Sequence, residues 1–158
     1  MPSESVIAAS AAIIGGIAPK IVDFLLESRS QNQTDKREFH HEVVSLTDRA
    51  IRSYEQYVQD YEKGDEIPYT NATRCKGRLP DNEIRQFNIN RPGLATDELI
   101  NDLRNLQNVA WDIDQFNLPP RTEMDPLTVE KSEEYLELMN RFYNISRKVH
   151  SESLSQLE

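Results

Sequence analysis

Residues 6–26 read VIAASAAIIGGIAPKIVDFLL, and where this stretch finds apolar surroundings decides the plan of the chain. Wound as a helix, its 21 residues rise about 31 Å, the hydrocarbon thickness of a bilayer. Unbroken apolar sequence ends at Pro19, and Lys20 and Asp23 follow one turn apart. A lysine there can snorkel toward water and pair with the aspartate, while the proline is expected to kink the helix. Ala8, Ala12 and Gly16 form one row of small residues, and Ala11 and Gly15 form another. Such rows let helix backbones approach closely in lipid, which makes these five the candidate packing residues of a membrane helix. Ile7, Ile14, Ile17, Ile21 and Phe24 occupy the opposite side. The competing readings are a helix buried within a soluble bundle and an amphipathic helix lying in the membrane plane.

The flanks of the stretch favour a single-pass membrane helix. The leading Met-Pro-Ser-Glu-Ser lacks Lys and Arg, unlike the basic start of a secretory signal. Lys20, Arg29, Lys36 and Arg37 come in and after the stretch. The positive-inside rule then places the N-terminus outside and the remainder in the cytoplasm. A soluble cytoplasmic protein is the alternative.

Downstream, Glu27 to Asp35 is polar and without apolar period, the pattern of a linker or of a frayed helix end. A second helix is predicted from about Asp35 to Lys63, with Phe39, Val43, Leu46, Ala50, Tyr54, Tyr57 and Tyr61 on one stripe. Gly64 is a stop signal. From Asp65 to Thr96, Pro68, Pro80 and Pro92 with Gly77 and Gly93 rule out a long helix. Ile84, Phe87, Ile89 and Leu94 are placed to pin this loop to the bundle, with one short helix at Asp81 to Phe87. A loop of this length is a candidate recognition surface.

The third helix is predicted to start after a Thr96 cap, with Asp97 and Glu98 suited to the positive end of the helix dipole. Leu99, Leu103, Leu106, Ala110 and Ile113 form its stripe, Trp111 and Phe116 widen it, and Leu118-Pro119-Pro120 ends it. Thr128 is expected to cap the fourth. There Tyr135, Leu138, Phe142, Ile145 and Val149 face inward with Leu136, Met139 and Tyr143, and the tail from Ser151 is expected to fray. Alternating strand patterns are absent from the sequence.

Composition and motif searches argue against chemistry. Twenty-seven acidic against eighteen basic residues give a formal charge of −9, which repels phosphate backbones and makes nucleic acid a poor partner. One cysteine, Cys75, allows neither an internal disulfide nor a cysteine-based zinc site. Arg74 and Lys76 beside it would lower its pKa, which makes Cys75 a candidate redox or modification site. Asn-x-Ser/Thr sequons stand at Asn32, Asn71 and Asn144, of which about one or two are expected by chance. Glu38 and His41 have the Glu-x-x-His spacing of di-iron bundles, but that chemistry needs a second copy, and Arg147 stands three residues before His150. A solvated helix edge is the expectation for both. There is no nucleophile elbow and no phosphate-cradling glycine loop.

The expected fold is therefore all-α: an apolar transmembrane helix over residues 1–30, then a three-helix antiparallel bundle over 31–158, with the long irregular loop 65–96 between its first two helices. The expected role is a non-enzymatic, membrane-anchored structural or adaptor subunit. It works through protein partners or self-association, without cofactor, metal or an evident small-molecule substrate. A soluble interaction module with a buried N-terminal helix is the first alternative, and a holin- or toxin-like membrane-permeabilising protein is the second.

Overall fold

A computed structural model describes residues 4–62, 78–117 and 126–158, with side chains placed over 20–59, 78–117, 130–131 and 133–158. The described residues form four α-helices and no strand: α1 (Glu4–Glu62), α2 (Asp81–Gln86), α3 (Asp97–Gln115) and α4 (Pro126–Ser155). The chain is made of two compact units, Met1–Arg37 and Glu38–Glu158.

The first correction is that Glu27 to Asp35 is not a linker but part of α1. The stretch contains neither Gly nor Pro, and Glu, Arg and Gln are strong helix formers. The Thr34 hydroxyl donates back to the Ser30 carbonyl at 3.0 Å, so the polar residues stay within the helical ladder. Polarity all round removed the periodic signal without removing helix propensity.

The second unit is a helical bundle with two continuous apolar clusters. Toward one end Phe39 and Val43 of α1 pack with Leu99 and Leu103 of α3 and Val149 of α4. Toward the other, Ala50 and Tyr57 pack with Leu106, Val109, Ala110 and Ile113 and with Tyr135, Met139 and Phe142. Thr96 caps α3 as its side chain accepts the Leu99 N–H at 3.1 Å. Pro126 stands at the first helical position of α4, where its missing N–H costs nothing.

The second correction concerns direction. Contacts between α1 and α4 pair Thr47 with His150, Tyr54 with Asn140 and Glu55 with Tyr143, so the numbers run oppositely. Those between α3 and α4 pair Thr96 with Glu152 and Asp102 with Lys148, again oppositely. Helix α4 is thus antiparallel to both, and α1 and α3 are parallel to each other. The bundle is not the up-down-up arrangement expected from three successive stripes.

The reason is the connection between α1 and α3. From Phe39 to Tyr57 the bundle is about 27 Å long by helical rise, well within the reach of a chain covering about 3.3 Å per extended residue. Residues 78–91 run back along α1: Ser53 donates to the Arg78 carbonyl, Arg49 pairs with Glu83, and Glu42 pairs with Arg91. Ile84, Ile89 and Leu94 are buried and Phe87 packs partly buried against the core, as their apolar character predicts. The described part of the 65–96 loop is accordingly a packed crossover, and residues 65–77 lie outside the described residues. Arg91-Pro92-Gly93-Leu94 forms a type II turn, closed by the Leu94 N–H to the Arg91 carbonyl at 3.4 Å. Gly93 has φ +75, the left-handed value this turn demands.

Two further expectations change at the residue level. Trp111 does not widen the core stripe of α3 and is 54% exposed, because Val109 and Ala110 take the inward positions beside it. The C-terminal end does not fray at Ser151: α4 continues to Ser155, with Ser153 fully buried. Tyr57, on the α1 stripe, carries its ring into the core at 2% exposure.

Candidate interaction surface

On α1, Ile21, Val22, Phe24, Leu25 and Leu26 are 50, 49, 69, 54 and 58% exposed. At about 100° per residue these five cover more than half of the helix circumference. Lys20, Asp23 and Glu27, all exposed, fill the remaining arc. This is an amphipathic segment whose apolar side faces solvent. Polar sequence takes over at Ser28.

The other sequence-derived candidates fall elsewhere. The side chains of Ala8, Ala11, Ala12, Gly15 and Gly16 lie outside the described residues, and so does Cys75. Among the described residues no helix is long and apolar enough to cross a membrane. Glu38 and His41 are exposed, and no group of three or more His, Cys, Asp or Glu among the described residues is arranged to hold a metal.

The histidine that the structure singles out is a different one. His40 is 1% exposed and sits edge-on to Phe39, ring centroids 5.4 Å apart. His150 is held by Thr47. The Thr47 hydroxyl gives its proton to the Val43 carbonyl at 2.7 Å and so accepts from His150 Nδ1 at 3.1 Å. That bond pins the α1–α4 register. Ser146 and Ser153 of α4 are fully buried with hydroxyls that find no hydrogen-bond partner. None of these polar core residues was visible as such in the sequence. A lone Thr or Ser on an apolar stripe reads as its edge.

On the surface, charges are largely paired across elements. The Lys148 ammonium lies 2.8 Å from Asp102 and 3.2 Å from Glu98, and these hydrogen bonds hold its pKa above the usual 10.5. Arg49 hydrogen-bonds Glu83 at 2.9 Å and lowers that carboxyl below its ordinary 4.5. Asp81 behaves oppositely. Its partner Arg85 is 3.7 Å away, too far to offset burial, and the carboxyl is pushed above 3.8.

An open groove of about 690 Å³ lies between α1 and the crossover, lined among others by His41, Ser45, Gln86 and Asn88. Its rim charges Glu42 and Arg91 neutralise each other at 3.1 Å. A second void of about 10 Å³ between Val43, Ile84, Leu103 and Leu106 has space for about one water and an apolar lining that keeps it dry. No protein-family model matches the chain, no curated protein matches it, and no solved structure matches it.

Proposed function

We propose that the chain is a non-enzymatic, membrane-anchored helical adaptor subunit, in which residues 6–26 enter the bilayer and the bundle docks protein partners. The observation that carries this reading is the exposed apolar side of α1 over Ile21 to Leu26. A fully buried large apolar side chain is worth about 1.5–3 kcal/mol, so covering five half-exposed ones yields on the order of 5 kcal/mol. That sum offsets much of the cost of bringing Lys20 and Asp23 close to lipid, where the lysine stem can reach back to the interface. Residues 6–19 supply the rest of the span, and their side chains lie outside the described residues. The basic residues Lys20, Arg29, Lys36 and Arg37 favour a cytoplasmic bundle and an outside N-terminus.

The test is phase partition of the full chain with a non-ionic detergent, together with a carbonate wash of membranes from expressing cells. The protein is expected in the detergent phase and the washed pellet, and Phe24→Asp with Leu25→Asp is expected to move it to the aqueous phase. Recovery of the unaltered chain in the aqueous fraction would end the anchor reading in favour of a soluble interaction module. Deleting residues 1–30 then separates the two folds. The anchor reading keeps the bundle folded by circular dichroism, whereas a soluble bundle built on that helix unfolds. Dye release from vesicles is expected to be absent; release would favour the membrane-permeabilising alternative.

A further inference from the structure

Residues 20–37 of α1, all within the first compact unit, sort their charges by face. At about 100° per residue, Arg29, Lys36 and Arg37 share an arc of about 100° with Val22 and Leu26. Asp23, Glu27 and Asp35 share an arc of about 120° on the other side, and Lys20 lies among them. All of these charged side chains are exposed except Lys36, which is partly buried. The three cations of the first arc also have no carboxylate to meet on their own helix. A helix brings together positions three and four apart, and those flanking Arg29 hold Leu25, Leu26, Asn32 and Gln33. The positions flanking Lys36 and Arg37 hold no carboxylate either. In the bundle, by contrast, Arg49, Arg85 and Arg91 each meet one, at 2.9, 3.4 and 3.1 Å.

Along the helix axis the apolar residues come first and the basic ones second. By helical rise Arg29 stands about 6 Å beyond Leu25, and Arg37 about 18 Å beyond it. The headgroup layer is about 5–7 Å deep on each side of the hydrocarbon. With Leu25 at the edge of the acyl chains, Arg29 therefore lies at phosphate depth. Lys36 and Arg37 come two turns later, and their long side chains can reach back toward the surface. A helix that leaves the bilayer at a tilt turns one face to the headgroups and lifts the other into water. Its diameter of about 10–12 Å sets the acidic face roughly one Debye length farther out, so the carboxylates are screened and the cations are not. An acidic protein would also attract three cations. Apolar side chains one turn ahead of them, on the same face, match a lipid boundary instead.

We propose that Arg29, Lys36 and Arg37 bind the anionic headgroups of the leaflet from which α1 emerges, with phosphatidylserine representing that lipid class. The proposal rests on the anchor reading above and adds to it the lipid chemistry that holds the helix.

The experiment floats the full-length protein, diluted from detergent, with vesicles of phosphatidylcholine alone and with vesicles that also contain phosphatidylserine. Tighter binding to the second kind is expected, weakened by added salt. The triple variant Arg29→Gln, Lys36→Gln, Arg37→Gln is expected to lose about fivefold per cation, on the order of 100-fold in all, and only on the anionic vesicles. In detergent partition it is expected to behave as the native chain, because the apolar side of α1 is untouched. A second triple variant, Arg104→Gln, Arg141→Gln, Arg147→Gln, removes the same charge from exposed positions of α3 and α4 and is expected to keep the preference. Equal losses in the two triple variants would overturn the site, since binding would then follow net charge. Equal binding of the native chain to both vesicles would overturn it too and leave the anchor standing, whereas binding to neither would end both.

Discussion

Gln107 is a small example of how single side chains hold this bundle. Its amide nitrogen donates to the carbonyls of Ile84 at 3.0 Å, which also accepts the Phe87 N–H, and of Phe87 at 2.8 Å, where α2 ends. Short helices have little propensity of their own, so α2 depends on this clamp and on Ile84. Gln107→Ala is expected to cost about 1–2 kcal/mol, read as a lower urea midpoint with unchanged slope. A second residue-level outcome concerns acid. Glu83 has a folded pKa below 4.5, so its contribution is complete above that value and is lost as pH falls through the folded pKa. The stability difference between the native chain and Glu83→Gln should therefore be present at neutral pH and vanish in stronger acid. Asp81 works in reverse: its raised pKa penalises the folded state above that value, and the penalty disappears on acidification. A difference that grew below pH 4.5 would contradict the Arg49–Glu83 assignment.

At the scale of elements, α1 carries the lesson. Its residues 27–35 lack an apolar stripe yet are helical, because local propensity and the absence of breakers suffice where no sharp turn is encoded. Gln31→Pro is expected to lower far-UV ellipticity clearly, since proline inside a helix costs about 3 kcal/mol. A linker would absorb the same change without loss of signal. The caps of α3 were legible for the opposite reason: Thr96, Asp97 and Glu98 act within one turn, and nothing distant is needed to place them. Val109 escaped the predicted stripe and Trp111 was wrongly included. A stripe drawn at steps of three and four cannot say which of two neighbours at its edge meets another helix.

The whole molecule turns on the parallel relation of α1 and α3. With the crossover returning along α1, residue 91 lies beside residue 42, joined by the Arg91–Glu42 pair at 3.1 Å. In an up-down-up bundle the start of α3 would instead adjoin the end of α1 near Tyr57. A chain with Glu42→Cys and Arg91→Cys, in a Cys75→Ser background, is therefore expected to be bridged within one molecule by a flexible bis-maleimide, whose reach matches two long side chains meeting tip to tip. Failure to crosslink while the bundle remains folded would remove this topology. The buried apolar residues of the crossover, Leu79, Ile84, Ile89 and Leu94, supply the driving force that keeps it laid down.

By itself the sequence determined the all-helical class, the inward faces of Phe39 to Tyr57, Leu99 to Ile113 and Tyr135 to Val149, the cap of α3, and the pinned residues of the crossover. These follow from period, caps and propensity, which act over a few residues. Tertiary structure alone decided which way α3 runs, that His40, Thr47, Ser146 and Ser153 are core residues, and that Trp111 faces out against Arg85. Each of these depends on which element comes to lie alongside another. Loop closure grows only slowly in cost with length, so a long connection leaves that choice to packing rather than to the chain's local code.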